Sequence, residues 1–192
     1  IAFAHDRDLI ASAGIDGSVR VWDPKNPIAQ ATHQGTSPLM SLAFSPDDAQ
    51  LLAGGRDGSL ILVATATGDV IAEFKGHLAG VHSVAFLPAG RVLSASWDGT
   101  VRIWNRDAPR ESPRLIATGT DTVCAKVSQS GRRLVTGGED GRVRLWNLDT
   151  GDAMNAFDAH ARRVAAVGFV GTSSNHLLSI GWDDFVRSWN EP

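Results

Sequence analysis

The stretch SASWDGTVRIWN, residues 94–105, decides the fold. It sets a hydroxyl, a carboxylate and an indole at fixed offsets (Ser94, Asp98 and Trp104), with His77 a short way upstream. A serine, a histidine and an aspartate can be written as nucleophile, base and orienting acid. The same residues can also serve as scaffolding, and the rest of the chain decides between the two.

Working outward, four other segments align with this one: SAGIDGSVRVWD (12–23), AGGRDGSLILVA (53–64), TGGEDGRVRLWN (136–147) and SIGWDDFVRSWN (179–190). Their turn aspartates, Asp16, Asp57, Asp98, Asp140 and Asp183, stand 41, 41, 42 and 43 residues apart. A fixed period of this size marks a repeat architecture. Inside each unit the apolar residues of SVRVW, TVRIW, RVRLW and FVRSW alternate, the period of a half-buried strand. A second apolar stretch precedes each Asp (LIASA, LLAGG, RVLSAS, RLVTGG, HLLSIG), and a third precedes that (IAF, LMSLAF, VHSVAF, VCAKV, VAAVGF). A fourth, VIAEF or AMNAF, follows turns such as TATGD and LDTGD, whose Gly and Asp suit tight reversals. Each unit is expected to be three or four antiparallel strands.

The Gly76-His77 pair, the Ser before the Asp-Gly turn, and the Trp followed by Asp or Asn (Trp22-Asp23, Trp104-Asn105, Trp146-Asn147, Trp189-Asn190) together resemble the WD-repeat (WD40) β-propeller family. The resemblance covers essentially the whole chain. It implies an all-β fold of four-stranded blades around a central channel, here one array over residues 1–192. It also implies that His, Ser or Thr, Asp and Trp hydrogen-bond in series within a blade: His77, Ser94, Asp98 and Trp104 in the third unit, His160, Ser179, Asp183 and Trp189 in the fifth. Unit one carries Ser12, Asp16 and Trp22; unit four carries Thr136, Asp140 and Trp146, with ATGTDT where Gly-His is expected. Unit two keeps only Asp57: Ala53 and Val63 replace Ser and Trp, His33 is two residues out of phase, and Gly35 lies nearer the expected place. Units two and four are therefore expected to be the least rigid.

The recurrence argues against catalysis, because a catalytic triad occurs once, beside a cleft and an oxyanion site. No catalytic residue, cofactor or metal is assigned. His77 and His82 are not spaced as metal ligands on one helix face. Gly54-Gly55 and Gly137-Gly138 lack the Lys-Ser and helix of a phosphate loop, and Arg132-Arg133 and Arg162-Arg163 are solvated loop charges. The net charge of −3 argues against nucleic acid as partner. No run reaches the roughly 18 apolar residues needed to cross a bilayer. With 43% hydrophobic residues the chain can bury a core, and its single cysteine, Cys124, is compatible with a reducing, cytoplasmic compartment.

Propellers avoid open sheet edges by closing into a ring. The resemblance implies a seven-bladed ring of about 51° per blade, of which these five units are an excerpt. The alternatives are association with another chain through the open blade edges, and a closed five-bladed ring. Function is expected on the loops beside the channel, where the resemblance places the residue before each turn Asp (Ile15, Arg56, Trp97, Glu139, Trp182) and residues flanking the start of the first strand (Met40, His82, Cys124, Arg163). Trp97 and Trp182 are the candidate anchors for a protein or peptide partner. The plainer reading is that each covers a blade edge and stacks on an arginine such as Arg102 or Arg187. Three functions compete: a non-catalytic interaction scaffold, then a sensor or substrate-recruiting domain of a larger enzyme or signalling protein, and last a propeller enzyme using the channel, which would need acids, bases or a metal converging near the axis.

Overall fold

The computed structural model describes residues 1–171 and 176–190. All regular structure among them is β. The first sheet comprises β1 (Ala2–Phe3), β2 (Ile10–Ala13), β3 (Ser18–Asp23) and β4 (Asn26–Gln34), hydrogen-bonded in that order. The second comprises β5 (Leu39–Phe44), β6 (Gln50–Gly55), β7 (Leu60–Ala64) and β8 (Val70–Phe74). The third runs through β9 (Val81–Leu87), β10 (Arg91–Ser96), β11 (Thr100–Asn105) and β12 (Arg114–Ala117). The fourth holds β13 (Thr122–Val127), β14 (Arg133–Gly138), β15 (Arg142–Asn147) and β16 (Ala153–Asp158). The last has three strands, β17 (Val164–Val170), β18 (His176–Gly181) and β19 (Val186–Asn190). Each sheet is an uncrossed meander, the simplest result of short turns between alternating strands.

The chain forms two compact units, Ile1–Ser94 with Ile103–Arg114, and Ala95–Arg102 with Leu115–Pro192. In the first, alternation sends two sets of side chains to opposite sides of the second sheet. Leu51, Ala53 and Val63 join Ala11, Val19, Val21 and Ala31 of the first sheet. Leu52, Leu60, Leu62 and Phe74 join Val81, Val84, Val92 and Trp104. A strand buried on both faces needs apolar residues in both phases, and LLA and LILV supply them. In the second unit Val135, Val143, Leu145, Ala159, Val164 and Leu177 form the equivalent core. Full burial of a Leu or Val side chain contributes about 1.5–3 kcal/mol.

The hairpin between the last two inner strands of each sheet sets up the site. In four of the five turns a glycine follows the Asp, and Gly17, Gly58, Gly99 and Gly141 have φ of 79°, 84°, 74° and 77°, a region that costs L side chains energy. In the fifth turn Asp184 takes the same conformation at φ 65°, as Asp can. The first strands β5, β13 and β17 each carry a bulge at the loop end, between Leu39 and Ser41, Thr122 and Cys124, and Val164 and Ala166. Such bulges re-aim the extra residue; in β5 that residue is Met40, which is partly exposed.

Candidate functional site: turn networks and the loop face

The fifth sheet holds the fullest network. Trp189 Nε1 donates to Ser179 Oγ at 3.0 Å, and Ser179 Oγ lies 2.8 Å from His160 Nε2. His160 Nδ1 lies 2.7 Å from Asp183 Oδ1, and Arg187 Nη1 donates to Asp183 Oδ2 at 2.8 Å. For the bonds of this series the assignment is indole to hydroxyl, hydroxyl to Nε2, and Nδ1–H to carboxylate; Arg187 Nη1 also lies 2.6 Å from His160 Nδ1. Burial would raise the Asp183 pKa, but hydrogen bonds from His160, the Ala161 N–H and Arg187 hold it well below the ordinary carboxylate range. The hydroxyl is thus held between an indole and an imidazole in a buried site, Ser179 being 0% exposed.

In the third sheet Ser94 likewise accepts from Trp104 Nε1 at 2.8 Å and lies 2.7 Å from His77 Nε2. Phe74 and His77 pack on the Trp104 ring. Asp98 accepts from the Thr100 hydroxyl at 2.6 Å and lies 3.9 Å from Arg102. In the first sheet Trp22 donates to Ser12 at 3.0 Å. The Ser18 hydroxyl and N–H and the Arg20 guanidinium hold the Asp16 carboxyl down to about 2. In the fourth, Trp146 donates to Thr136 at 2.9 Å and Arg144 to Asp140 at 2.6 Å.

The sequence reading named His160 and put Gly35 near the histidine place of unit two, but missed Thr118 and the side chains that follow each Asp. His160 N donates to Gly141 O at 2.8 Å, Thr118 N to Gly99 O at 2.9 Å, and Gly35 N to Gly17 O at 2.9 Å. The shared backbone bond puts Thr118 and Gly35 in the histidine place of their units. Thr118 is buried, and its hydroxyl meets Gly99 O, Thr120 O and Thr122 Oγ1. The Ser or Thr two residues after the Asp and the Arg four after it also belong to the network; the recurring DGSVR and DGTVR are their signal. Asp48 is a further case. Its buried carboxylate accepts from the backbone N–H groups of His5, Asp6 and Arg7 and pairs with His5 Nδ1 at 2.9 Å.

The loop-face residues are set by equivalent backbone bonds. Arg56 N donates to Pro38 O, Glu139 N to Asp121 O and Trp182 N to Arg163 O, at 2.8, 3.1 and 3.0 Å. Arg56, Glu139 and Ile15 are exposed. Trp182 is 50% exposed, with the Arg163 guanidinium carbon 4.4 Å from its ring centroid. Arg163 Nε lies 3.5 Å from Glu139, so Glu139, Arg163 and Trp182 form one cluster. Two details differ from the sequence reading. The arginine on Trp182 is Arg163, while Arg187 lies over Phe185, 4.8 Å from the ring centroid. Trp97 and His82 are half-buried rather than exposed. The Cys124 thiol is also turned inward, and burial pushes its pKa up to about 12, which leaves it a poor nucleophile. Among the described residues no group of three or more His, Cys, Asp or Glu side chains is placed to hold a metal, and no helix is long and apolar enough to cross a membrane.

Repeated antiparallel meanders, four of the five with a Trp bonded across to a Ser or Thr beside an Asp turn, define a propeller-type repeat protein. The chain belongs to the WD40 family: the family pattern "WD domain, G-beta repeat" matches residues 1–23, 27–63, 68–105 and 112–147. It is 31% identical over 138 residues to "Periodic tryptophan protein 2" of Arabidopsis thaliana, covering 70% of this chain and 15% of that protein. It is 31% identical over 140 residues to "Ribosome biogenesis protein WDR12 homolog" of Nematostella vectensis, covering 69% and 33%. The crystal structure of the computationally designed Ika8 protein superposes with a TM-score of 0.81 at 24% identity, covering 97% of this chain and 56% of that one, a likeness of fold. The chain thus spans a third or less of the length of these two natural relatives.

Proposed function

We propose that this chain is a non-catalytic interaction scaffold that binds protein or peptide partners through the loop face carrying Trp97, Trp182, Arg56, Glu139, His82, Arg163 and Met40. The observation that carries the reading is the Glu139–Arg163–Trp182 cluster: a half-exposed indole held between backbone bonds and capped by a guanidinium. Rigid aromatics beside Arg make interface anchors, because little side-chain entropy is lost on binding. The hydroxyls that could act as nucleophiles are instead tied to indoles in four of the five units. The unpaired Cys124 is compatible with a cytoplasmic location, which belongs to the same proposal. One relative's name carries ribosome biogenesis, so assemblies of that kind are a place to look for the partner. Because the relatives are much longer, the second reading, a recruiting domain of a larger enzyme or signalling protein, concerns the whole protein and leaves the loop face its role. Affinity capture with the wild type and with a Trp97→Ala, Trp182→Ala double variant of equal stability tests the reading. The double variant is expected to lose the specific partners; equal recovery would place the binding face elsewhere.

A further inference from the structure

Asp57 is the exception among the turn aspartates. Asp16, Asp98, Asp140 and Asp183 each have an arginine four residues on, Arg20, Arg102, Arg144 and Arg187, at 3.0, 3.9, 2.6 and 2.8 Å. After Asp57 that position is Ile61, and the histidine place of the same unit is Gly35. The second unit has therefore lost the guanidinium that faces the carboxylate in the other four, and has no side chain in the histidine place, while keeping the carboxylate and its turn: Ser59 N donates to Asp57 Oδ1 at 3.0 Å, and the Ser59 and Ser37 hydroxyls also bond to it.

The lost side chains leave space. A cavity of about 370 Å³ opens there, lined among others by Gly35, Ser37, Asp57, Ser59, Ile61 and Glu73. That volume lies within the roughly 300–1,000 Å³ of small-ligand sites. Glu73 pairs directly across from Ile61 in the β7–β8 ladder, and Lys75, which also lines the cavity, is paired to it at 3.3 Å. Asp57 is therefore the carboxylate of the slot with no cation set against it by its own unit, and a group over Ile61 meets it first. The remaining walls include Val70 and Phe74, which suit a hydrocarbon stem.

We propose that this slot takes the guanidinium of an arginine side chain from a peptide partner, which thereby supplies in trans the Arg–Asp pair that the other four units make within themselves. Guanidinium fits better than ammonium because its planar fork can engage a carboxylate with two parallel bonds. The site uses none of Trp97, Trp182 or Arg163, so it stands or falls apart from the loop-face reading.

The test is an amide NMR titration of the folded chain with N-acetyl-arginine methylamide, with the lysine and neutral citrulline analogues as comparisons. Saturable shifts centred on Gly35, Ser37 and Ser59 are expected with arginine, weaker ones with lysine and none with citrulline. Asp57→Asn should weaken the arginine affinity at least about tenfold, the loss of one charge-assisted pair. Ile61→Arg, which restores the internal partner and fills the slot, should abolish the shifts while retaining the folded spectrum. Equal shifts with citrulline, shifts that persist in Ile61→Arg, or no saturable response in the wild type would each overturn the proposal.

Discussion

At the scale of single residues, Ser179 and Ala53 occupy the same place in two units and show two ways of filling it. Ser179 receives the Trp189 indole and meets His160; Ala53 is 0% exposed beside Val63 at 1%, with glycine in the histidine place. Replacing every polar partner by an apolar one leaves no donor stranded, whereas removing one member strands the rest. Ser179→Ala is therefore expected to cost about 1–3 kcal/mol for each buried group it leaves unpartnered, and Ala53→Ser to destabilise as well by burying a hydroxyl that faces Val63. Urea midpoints of the two variants check both signs. The Ser, Asp and Trp positions were legible from the repeat. Thr118 was not, because threonine bears no likeness to histidine and only its backbone bond to Gly99 reveals its place. The partner of Trp182 also escaped the sequence, since Arg163 lies in a different loop.

At the scale of elements, β1 is only two residues long, and the segment after it is held by Asp48 from the β5–β6 turn. The folded Asp48 carboxyl titrates at about 2: burial raises its pKa, but the His5, Asp6 and Arg7 donors lower it more. A depressed carboxyl contributes stability above its unfolded pKa and loses it as pH falls through the folded one. The contribution, on the order of 2 kcal/mol, should be intact above about pH 4 and fade towards pH 2. Asp48→Asn should flatten this part of the acid-unfolding curve. Asp48→Ala should in addition speed amide exchange at His5, Asp6 and Arg7, since it removes their acceptor and places Ala at φ 55°. The second sheet bears on the expectation of low rigidity. Leu51, Leu52, Ala53, Leu60, Leu62 and Val63 are all at most 1% exposed, and this packing stands in for the missing polar series. Exchange protection of β6 and β7 is accordingly expected to match that of β10 and β11 in the third sheet, whose His, Ser, Asp and Trp are all present; markedly faster exchange in β6 and β7 would restore the sequence-based view. Strand positions were legible because alternation and turn residues agree, whereas the bulges were not, since an extra residue at a strand end leaves the apolar pattern intact.

At the scale of the whole molecule, repeat period and compactness mark different things. The period places each sheet, but the division between the two compact units passes through β10, β11 and β12, where sequences such as TVRIW continue unbroken. Compactness depends on which side chains share a core, and a repeat has no mark for that. The last sheet leaves Leu178, Ile180 and Val186 39%, 45% and 64% exposed, while the counterparts of Leu178 and Val186 in the second sheet, Leu52 and Leu60, are covered. The central claim is a division of labour: the Ser–His–Asp sets hold the sheets, and the loop face binds. Partner capture by Ser94→Ala, measured per folded molecule beside its urea midpoint, tests this most directly. The account predicts a lower midpoint, because Trp104 and His77 lose their shared hydroxyl, with capture undiminished. Capture abolished at an unchanged midpoint would contradict it and return Ser94 to the role of a functional group.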